Sequence, residues 1–208
     1  MFTGIIQELG KVKKLKKSPQ GLDFFIESKK ILKNKKIGDS ISVNGVCLTV
    51  IKITGSGFQV QIVEETLSKT NLKDLKIGDE INLESALTLN QTLNGHLVQG
   101  HIDTEGTVEN LNGKGDLTIH FPEDISCYLA FKGSITINGV SLTISNLQDS
   151  TFSVALIPHT LQTTNLKNLK KGDKVNLEVD LIARYLKNLL DKKADETKYE
   201  FLKDRNLI

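Results

Sequence analysis

The 208-residue sequence contains no tryptophan, one methionine, three prolines and only two cysteines. Two cysteines, Cys47 and Cys127, are too few for a disulfide framework, so a reducing cytoplasm is the simplest expectation. No apolar run approaches the roughly 20 residues that span a bilayer. No basic segment precedes an apolar stretch at the N-terminus, as it would in a signal peptide. The sequence therefore predicts a cytoplasmic chain that has no transmembrane helix.

An excess of charge of one sign is also missing. Lysine and arginine number 27 against 25 aspartate and glutamate residues, which leaves a net charge of +2. Because acidic residues interleave with the lysine runs, these runs are typical of a solvated surface and do not indicate a nucleic-acid site. The four histidines and two cysteines never fall at the spacing of metal ligands, so no bound metal is expected.

What the sequence does contain is an internal repeat. Residues 40–50 (SISVNGVCLTV) align with residues 134–144 (SITINGVSLTI), an offset of 94, and seven of the eleven positions are identical. Towards the N-terminus the offset becomes 96, and Gly4 matches Gly100. A repeat of this length is a whole small domain. The sequence thus predicts homologous domains over residues 1–96 and 97–182, with 87–95 as a short ordered connection, followed by a C-terminal segment over 183–208.

Each copy has the apolar period of two that is typical of β-strands. Both copies place Asn-Gly between alternating runs, which predicts a two-residue hairpin turn because both central residues of a type I′ turn need positive φ. Many short strands at regular spacing predict an all-β barrel or sandwich. Further strands are expected at 58–63, 80–84, 152–157 and 174–180, and short helices at 28–34 and 123–131.

The C-terminal segment has a helical pattern instead. Apolar residues recur on one helical face, at Leu181, Ile182, Tyr185, Leu186, Leu189 and Leu190. Such a stripe needs a partner surface, which could be the chain's own barrels or, slightly favoured, other subunits. Residues 191–208 are highly charged and typical of partial disorder.

The ordered set of motifs resembles the riboflavin synthase family over essentially the whole chain. The matching motifs are the opening Met-Phe-Thr-Gly-Ile, the paired Asn-Gly-Val-Cys/Ser-Leu-Thr blocks, the junction Gly-His-Leu-Val-Gln-Gly-His-Ile over 95–102, and the twin Thr-Asn-Leu strings. The resemblance implies an all-β fold of two six-stranded antiparallel Greek-key barrels plus a C-terminal helix that holds a homotrimer.

The family's activity is a dismutation that needs no cofactor. The resemblance implies that two molecules of 6,7-dimethyl-8-ribityllumazine react by four-carbon transfer to give riboflavin and 5-amino-6-(D-ribitylamino)uracil. It also implies an active site between the N-terminal barrel of one subunit and the C-terminal barrel of a neighbour. An association with lumazine synthase is left open.

The resemblance carries catalytic roles onto Cys47, Ser141, His101, Ser40 and Asp180. Cys47 and Ser141 occupy equivalent repeat positions, which places a thiol in one half-site and a hydroxyl in the other. His101 and Asp180 stand where the first copy has isoleucine and alanine, so they break the symmetry of the half-sites. The residues alone leave Cys47 open to interpretation as a small buried apolar residue, and His101 as a surface group.

Substrate contacts are implied at positions that repeat between the two copies. They are Gly4, Ile5, Ile6, Cys47, Leu48, Thr49, Gln61, Ile62, Val63, Glu64, Glu65, Thr66, Gly100, His101, Ile102, Lys132, Ser141, Leu142, Thr143, Leu156, Ile157, Pro158, His159, Thr160 and Leu161. Neither the donor barrel nor the nucleophile at C7 of the substrate (water, Cys47 or Ser141) follows from the sequence.

Two other functions compete with this interpretation. Lumazine proteins share the doubled barrel and bind lumazine or flavin without turnover. Retention of Cys47, His101, Ser141 and Asp180 together argues against a pure binder. A flavin-dependent reductase barrel fits less well, because no Gly-x-Gly-x-x-Gly follows a strand.

Overall fold

Two closed antiparallel barrels of six strands each make up most of the computed structural model. The structure describes the backbone of residues 1–204 and the side chains of residues 1–193. The first barrel contains β1 (Glu8–Ser18), β2 (Gly21–Glu27), β3 (Ser40–Val43), β4 (Val46–Thr54), β5 (Gly57–Val63) and β6 (Glu80–Ser85). The second contains β7 (Thr104–Leu111), β8 (Asp116–His120), β9 (Ser134–Ile137), β10 (Val140–Leu147), β11 (Thr151–Ala155) and β12 (Lys174–Val179).

Both barrels have the same Greek-key order, β1-β2-β5-β4-β3-β6 in the first and β7-β8-β11-β10-β9-β12 in the second. The Asn-Gly turns join β3 to β4 and β9 to β10 as the sequence predicts. Asn44 and Gly45 have φ of 47° and 85°, and Asn138 and Gly139 have φ of 47° and 78°. Positive φ at both turn residues is the geometry that favours Asn-Gly. Alternate strand residues fill each barrel, so the predicted all-β fold is confirmed.

Short helical segments close the ends of the barrels. They are α1 (Glu64–Lys69) and α2 (Pro158–Thr163), with 3₁₀ turns at Asn71–Asp74, Asn165–Asn168 and Glu123–Tyr128. The last of these confirms part of the helix predicted over 123–131. The helix predicted over 28–34 is wrong, because this segment forms turns. The Glu8 carboxylate accepts hydrogen bonds from the amides of Lys29, Lys30 and Ile31 and holds them in a non-helical loop.

Asparagines join the two barrels along a pseudo-twofold axis. Fully buried Asn82 donates from its amide group to the carbonyl oxygen of Asn138 (2.9 Å) and accepts from the amide of Asn165 (2.8 Å). Its counterpart Asn176 makes the same two bonds, to the carbonyl oxygen of Asn44 and from the amide of Asn71. These bonds satisfy polar groups that water cannot reach, so the barrels share one buried polar interface.

The third helix, α3 (Leu181–Asp204), follows β12 directly, and it begins at the residue where the apolar stripe begins. Arg184 attaches it to the second barrel through an ion pair with Asp103 and lies 5.9 Å from the ring of Tyr128. The sequence predicts partial disorder over 191–208, but α3 continues through residues 191–204, and residues 205–208 lie outside the described part. Within that part, none of the helices combines the length and apolar character needed to cross a membrane.

The predicted division at 96/97 remains a prediction. In the structure β6 ends at Ser85 and β7 begins at Thr104, with an irregular connection between them. This connection does more than link the barrels, because Ile102 near its end packs against the core of the first barrel. In the same way, Ile6 in the N-terminal segment packs against the core of the second barrel.

Candidate active site

We call the surroundings of Cys47 the first half-site. Cys47 is the second residue of β4 and the first on the more polar side of that strand. The Cys47 amide donates to the carbonyl oxygen of Gly100 (2.9 Å), so the junction segment lies directly against the first barrel. Gly100 has φ of +80°, and a Cβ added to it would lie 2.7 Å from the Cβ of Cys47. Only glycine tolerates both this backbone conformation and this approach. His101, the next residue, is therefore brought to the Cys47 half-site.

The second half-site repeats this arrangement around Ser141 on β10. The Ser141 amide donates to the carbonyl oxygen of Gly4 (2.8 Å). Gly4 has φ of +77°, and a Cβ there would lie 2.5 Å from the Cβ of Ser141. Ile5 therefore accompanies Ser141. The structure thus separates the predicted catalytic residues, since it places Cys47 with His101 in one group and Ser141 in the other.

His96 belongs to the second half-site, although the sequence motifs assign it no role. Its Nδ1 lies 2.7 Å from the Ser141 hydroxyl. Burial lowers the pKa of His96, and the negative charge of Asp180 opposes that shift. The ring is therefore neutral near pH 7. A neutral Nδ1 without a proton can accept a hydrogen bond from the Ser141 hydroxyl, the arrangement in which an imidazole serves as a base.

Asp180 has a structural contact as well as this electrostatic one. Its Oδ1 accepts from the amide of Ile182 (2.9 Å), and its carbonyl oxygen accepts from the amide of Arg184 (3.2 Å). The carboxylate therefore caps the first turn of α3 while its charge acts on His96. Asp180 therefore has defined partners, whereas an aspartate considered from the sequence alone is usually a solvated surface charge.

The remaining polar residues of the prediction lie on the hairpin strands. Ser40 pairs with Thr49 across β3 and β4, and Thr143 occupies the position of Thr49 in the second barrel. Both threonines are exposed. Lys132 is also exposed and has φ of 68°, a left-handed conformation that is uncommon for lysine. Its ammonium group lies 5.0 Å from the ring centre of Phe131.

The substrate-binding segments 61–66 and 156–161 are equivalent in the two barrels, but their side chains differ in accessibility. Leu48, Ile62 and Leu156 are buried in the barrel cores, so only their backbones are free to contact a ligand. Val63 (48% exposed) and Ile157 (61% exposed) offer apolar surface. The set with half-buried or exposed side chains comprises Gln61, Glu64, Glu65, Thr66, Leu142, Pro158, His159, Thr160 and Leu161.

Two buried glutamates, which are not among the predicted site residues, bind the two segments that lie against the half-sites, residues 3–4 and 99–101. We call these the crossing segments. Glu178 on β12 accepts from the amides of Gln99 (2.7 Å), Gly100 (2.9 Å) and His101 (3.1 Å). Glu84 on β6 accepts from the amides of Thr3 (2.7 Å) and Gly4 (3.0 Å) and from the Thr3 hydroxyl (2.7 Å). The one sequence signal for them is that both copies place a glutamate after Asn-Leu, at residues 82–84 and 176–178.

Burial raises the pKa of both glutamates, although the hydrogen bonds that they accept oppose the shift. For Glu178 the shift reaches a pKa of about 7, and the like charge of Asp103 contributes to it. For Glu84 the direction is the same, with burial as the main cause. Among the described residues, no group of three or more histidine, cysteine, aspartate or glutamate side chains is placed to hold a metal ion.

Comparison with known proteins agrees with this geometry. A family model for the lumazine binding domain matches twice, at residues 3–86 and 99–180. The riboflavin synthase of Actinobacillus pleuropneumoniae is 41% identical over 202 residues, which cover 95% of this chain and 94% of that protein. The riboflavin synthase of Bacillus subtilis is 40% identical, covering 95% and 93%. The crystal structure of LumP complexed with riboflavin superposes with a TM-score of 0.81 at 31% identity, covering 86% of this chain and 99% of that chain.

Two lumazine-binding domains in one chain, each a closed six-stranded barrel, define the class as a duplicated lumazine-binding barrel protein. The similarity to riboflavin synthases extends over nearly the whole chain, helix included. The chain belongs to the riboflavin synthase family of enzymes. The resemblance seen in the sequence motifs is therefore confirmed.

Proposed function

We propose that the chain catalyses the dismutation of two molecules of 6,7-dimethyl-8-ribityllumazine into riboflavin and 5-amino-6-(D-ribitylamino)uracil. The observation that carries this proposal is the pair of near-identical half-sites, in which Gly100 lies against Cys47 and Gly4 lies against Ser141. Two related sites suit a reaction between two identical substrates. Holding both rings in one orientation supplies a large part of such a catalysis.

The differences between the half-sites give the two substrates different roles. Ser141, whose hydroxyl is hydrogen-bonded to neutral His96, is a candidate nucleophile or proton carrier in one half-site. Cys47 and His101 supply a thiol and an imidazole in the other half-site, and Ser40 lies opposite Thr49 on the same β-hairpin. Asp180 adds a negative charge that acts on His96, and Lys132, just before β9 of the second barrel, adds a positive charge. No cofactor enters this scheme.

The active enzyme is proposed to be a homotrimer in the cytoplasm. Val63 and Ile157 leave apolar surface exposed beside the half-sites, which supports completion of the site by a neighbouring subunit. The exposed stripe of α3 offers a further contact surface. Both cysteines are unpaired, as in a reducing compartment. An association with lumazine synthase remains a prediction.

A single assay tests the activity. The purified full chain is mixed with 6,7-dimethyl-8-ribityllumazine and no added cofactor, and riboflavin is followed by absorbance and chromatography. The expected result is one riboflavin and one 5-amino-6-(D-ribitylamino)uracil for every two lumazines consumed. The variants S141A and H101A are expected to be slower, because each removes a polar group from one half-site.

The LumP structures favour one alternative, a binding protein without turnover, because one of them contains 6,7-dimethyl-8-ribityllumazine and superposes with a TM-score of 0.78 at 30% identity. The same assay separates the two functions. Saturable binding of lumazine with no riboflavin formed would overturn the proposed dismutation in favour of binding. Full activity of S141A or H101A would instead contradict the assignment of that residue.

A further inference from the structure

We propose that Glu84 and Glu178 are positioning residues that act crosswise: each is a strand residue of one barrel, and each fixes the segment that completes the half-site of the other barrel. Both side chains are buried, with 2% and 3% exposure. Each carboxylate bonds to the backbone amides of predicted contact residues, Gly4 for Glu84 and Gly100 and His101 for Glu178, so the glutamates act through the backbone that they hold.

Glu178 belongs to the second barrel and acts on the first half-site. Its two carboxylate oxygens accept the amides of three consecutive residues, 99–101. The carbonyl oxygen of the middle residue, Gly100, accepts from the amide of Cys47 in the first barrel. Ile102 then continues into the core of that same first barrel. The carboxylate thus holds the segment at one end, and the first barrel holds it at the other.

Glu84 makes the reciprocal arrangement from the first barrel. It accepts the amides of Thr3 and Gly4 and the hydroxyl of Thr3. The carbonyl oxygen of Gly4 accepts from the amide of Ser141 in the second barrel. Ile6 then packs against the core of the second barrel. The two copies are equivalent in this respect, since the same crossing of a segment from one barrel to the other occurs twice.

Each glutamate serves as a hydrogen-bond acceptor, because every group that is hydrogen-bonded to its side chain is a donor. Replacement by glutamine keeps the size but substitutes an amide nitrogen, itself a donor, for one accepting oxygen. Buried amides would then lose their acceptor, which is costly in an interior that water does not reach. The segment would relax away from the glutamate, and its glycine would no longer cover the opposite barrel's cysteine or serine.

A purely structural role predicts a different pattern from the crosswise one. If each glutamate only stabilised its own barrel, E178Q would disturb Ser141 and E84Q would disturb Cys47. In the crosswise arrangement E178Q disturbs Cys47, and E84Q disturbs Ser141. The two glutamates therefore serve as matched controls for each other.

Thiol labelling of the full chain distinguishes these patterns. In a C127S background, which removes the exposed second cysteine, the rate of Cys47 labelling by a small maleimide is measured in E178Q and in E84Q. We expect E178Q to raise this rate about tenfold, on the order of one lost buried hydrogen bond, and E84Q to change it less than about twofold. In a C47S/C127S/S141C background, we expect E84Q to raise the rate at which the thiol introduced by S141C is labelled, and E178Q to change that rate less than about twofold.

Equal acceleration by both variants, or acceleration only within the same barrel, would overturn the proposal. If a glutamine variant does not fold, as judged by near-UV circular dichroism, then E84D and E178D replace it, since aspartate keeps the charge and withdraws the oxygens by one methylene. The effect on catalysis rests on the proposed function, but labelling does not. Crosswise labelling in a chain that forms no riboflavin would refute the proposed function and leave the positioning role intact.

Discussion

Glu178 and Glu84 occupy equivalent positions, yet their electrostatic surroundings differ by one charge. Asp103 lies near Glu178, whereas the equivalent position in the first copy is the neutral Gln7. The like charge adds to burial and raises the pKa of Glu178 to about 7. The positive charge that partners Asp103 is Arg184, at the start of α3. Small differences between the copies therefore concentrate at the segment that carries His101.

The pKa of Glu178 gives the molecule a predictable pH dependence. Because the folded-state pKa of about 7 lies above the ordinary value of 4.5, this group's contribution to stability is full below about pH 4.5 and is lost as pH rises through 7. The loss amounts to at most about 3 kcal/mol. Urea unfolding at pH 5 and pH 7.5 should show a steeper fall in the wild type than in E178Q.

The comparison uses the difference between two slopes, so groups common to both proteins cancel. E84Q serves as a second reference, because it alters the equivalent bonds but leaves Glu178 in place. Parallel pH curves for the wild type and E178Q would show that Glu178 does not titrate in this range.

The predicted roles of the site residues come from the family resemblance and, at several positions, from the repeat, whereas His96 has no counterpart in the repeat. At the offset of 96 that aligns Gly4 with Gly100, His96 would align with a position before Met1. No second copy exists to mark it as part of a half-site. Its 2.7 Å contact with Ser141 joins residues 45 positions apart, and only the fold brings these together.

The apolar face of the α3 helix points to solvent and not to its own barrels. Its charged Arg184 faces the second barrel and pairs with Asp103, while its apolar stripe faces solvent. Within the stripe, Ile182, Tyr185, Leu186, Leu189 and Leu190 are each 55–64% exposed. An apolar helix face that does not cover its own core is typical of an interface. This answers one alternative left open by the sequence, since the stripe does not fold back on the barrels.

Charge placed on this stripe should break the proposed trimer. The double variant L186D/L189D introduces two carboxylates into a surface that must lose water on association, so sedimentation analysis should show a shift from three chains to one. Barrel secondary structure by far-UV circular dichroism should be unchanged. N188D adds one charge to an exposed residue outside the stripe and should remain trimeric.

A trimeric L186D/L189D would show that α3 does not hold the assembly. A monomeric N188D would show that the effect of charge is not specific to the stripe.

Local sequence patterns predict an element correctly where no contact from a distant part of the chain overrides them. The Asn-Gly turns are fixed by the φ preferences of two residues, and the helix stripe began at the right residue. The helix predicted over residues 28–34 is wrong, and the segment is held instead by a non-local contact: the carboxylate of Glu8, some 20 positions away, accepts hydrogen bonds from its amides. A side chain that far along the sequence gives no periodic signal.

At the scale of the whole chain, buried polar groups join the two barrels. Asn82 and Asn176 lie fully buried between the barrels, and each bridges to a turn and to a 3₁₀ segment of the other copy. Gly45 and Gly139 approach so closely that a Cβ on either would lie within 2.8 Å of the other's backbone. The interface therefore tolerates little change in shape.

Removal of one bridging asparagine should be severe. N82A would leave the amide of Asn165 and the carbonyl of Asn138 buried without their partner, at a cost of about 2–4 kcal/mol in the free energy of unfolding. Urea denaturation measures the change. The exposed Asn168, which bonds to Glu80, is the matched control, and N168A should cost less than about 0.5 kcal/mol. Equal effects of N82A and N168A on the free energy of unfolding would contradict a stabilising role for the buried Asn82 hydrogen bonds.

The pseudo-twofold arrangement itself could be expected from the repeat, but the crossing of the segments could not. An alignment shows that Gly4 and Gly100 are equivalent, and it is silent on which barrel each one contacts. The hydrogen bonds that decide this join Gly4 to Ser141 and Gly100 to Cys47, residues that are far apart in the sequence. They depend on how the connection 86–103 runs, which has no regular pattern.

The crossing has a consequence for how the molecule behaves on dilution. Between two separate single-barrel chains, the same exchange of N-terminal segments would be a second-order association, lost at low protein concentration. Covalent continuity makes it a first-order contact with a high effective concentration. Each chain therefore keeps both of its half-sites preassembled at any dilution, and only the contacts between chains remain subject to the law of mass action.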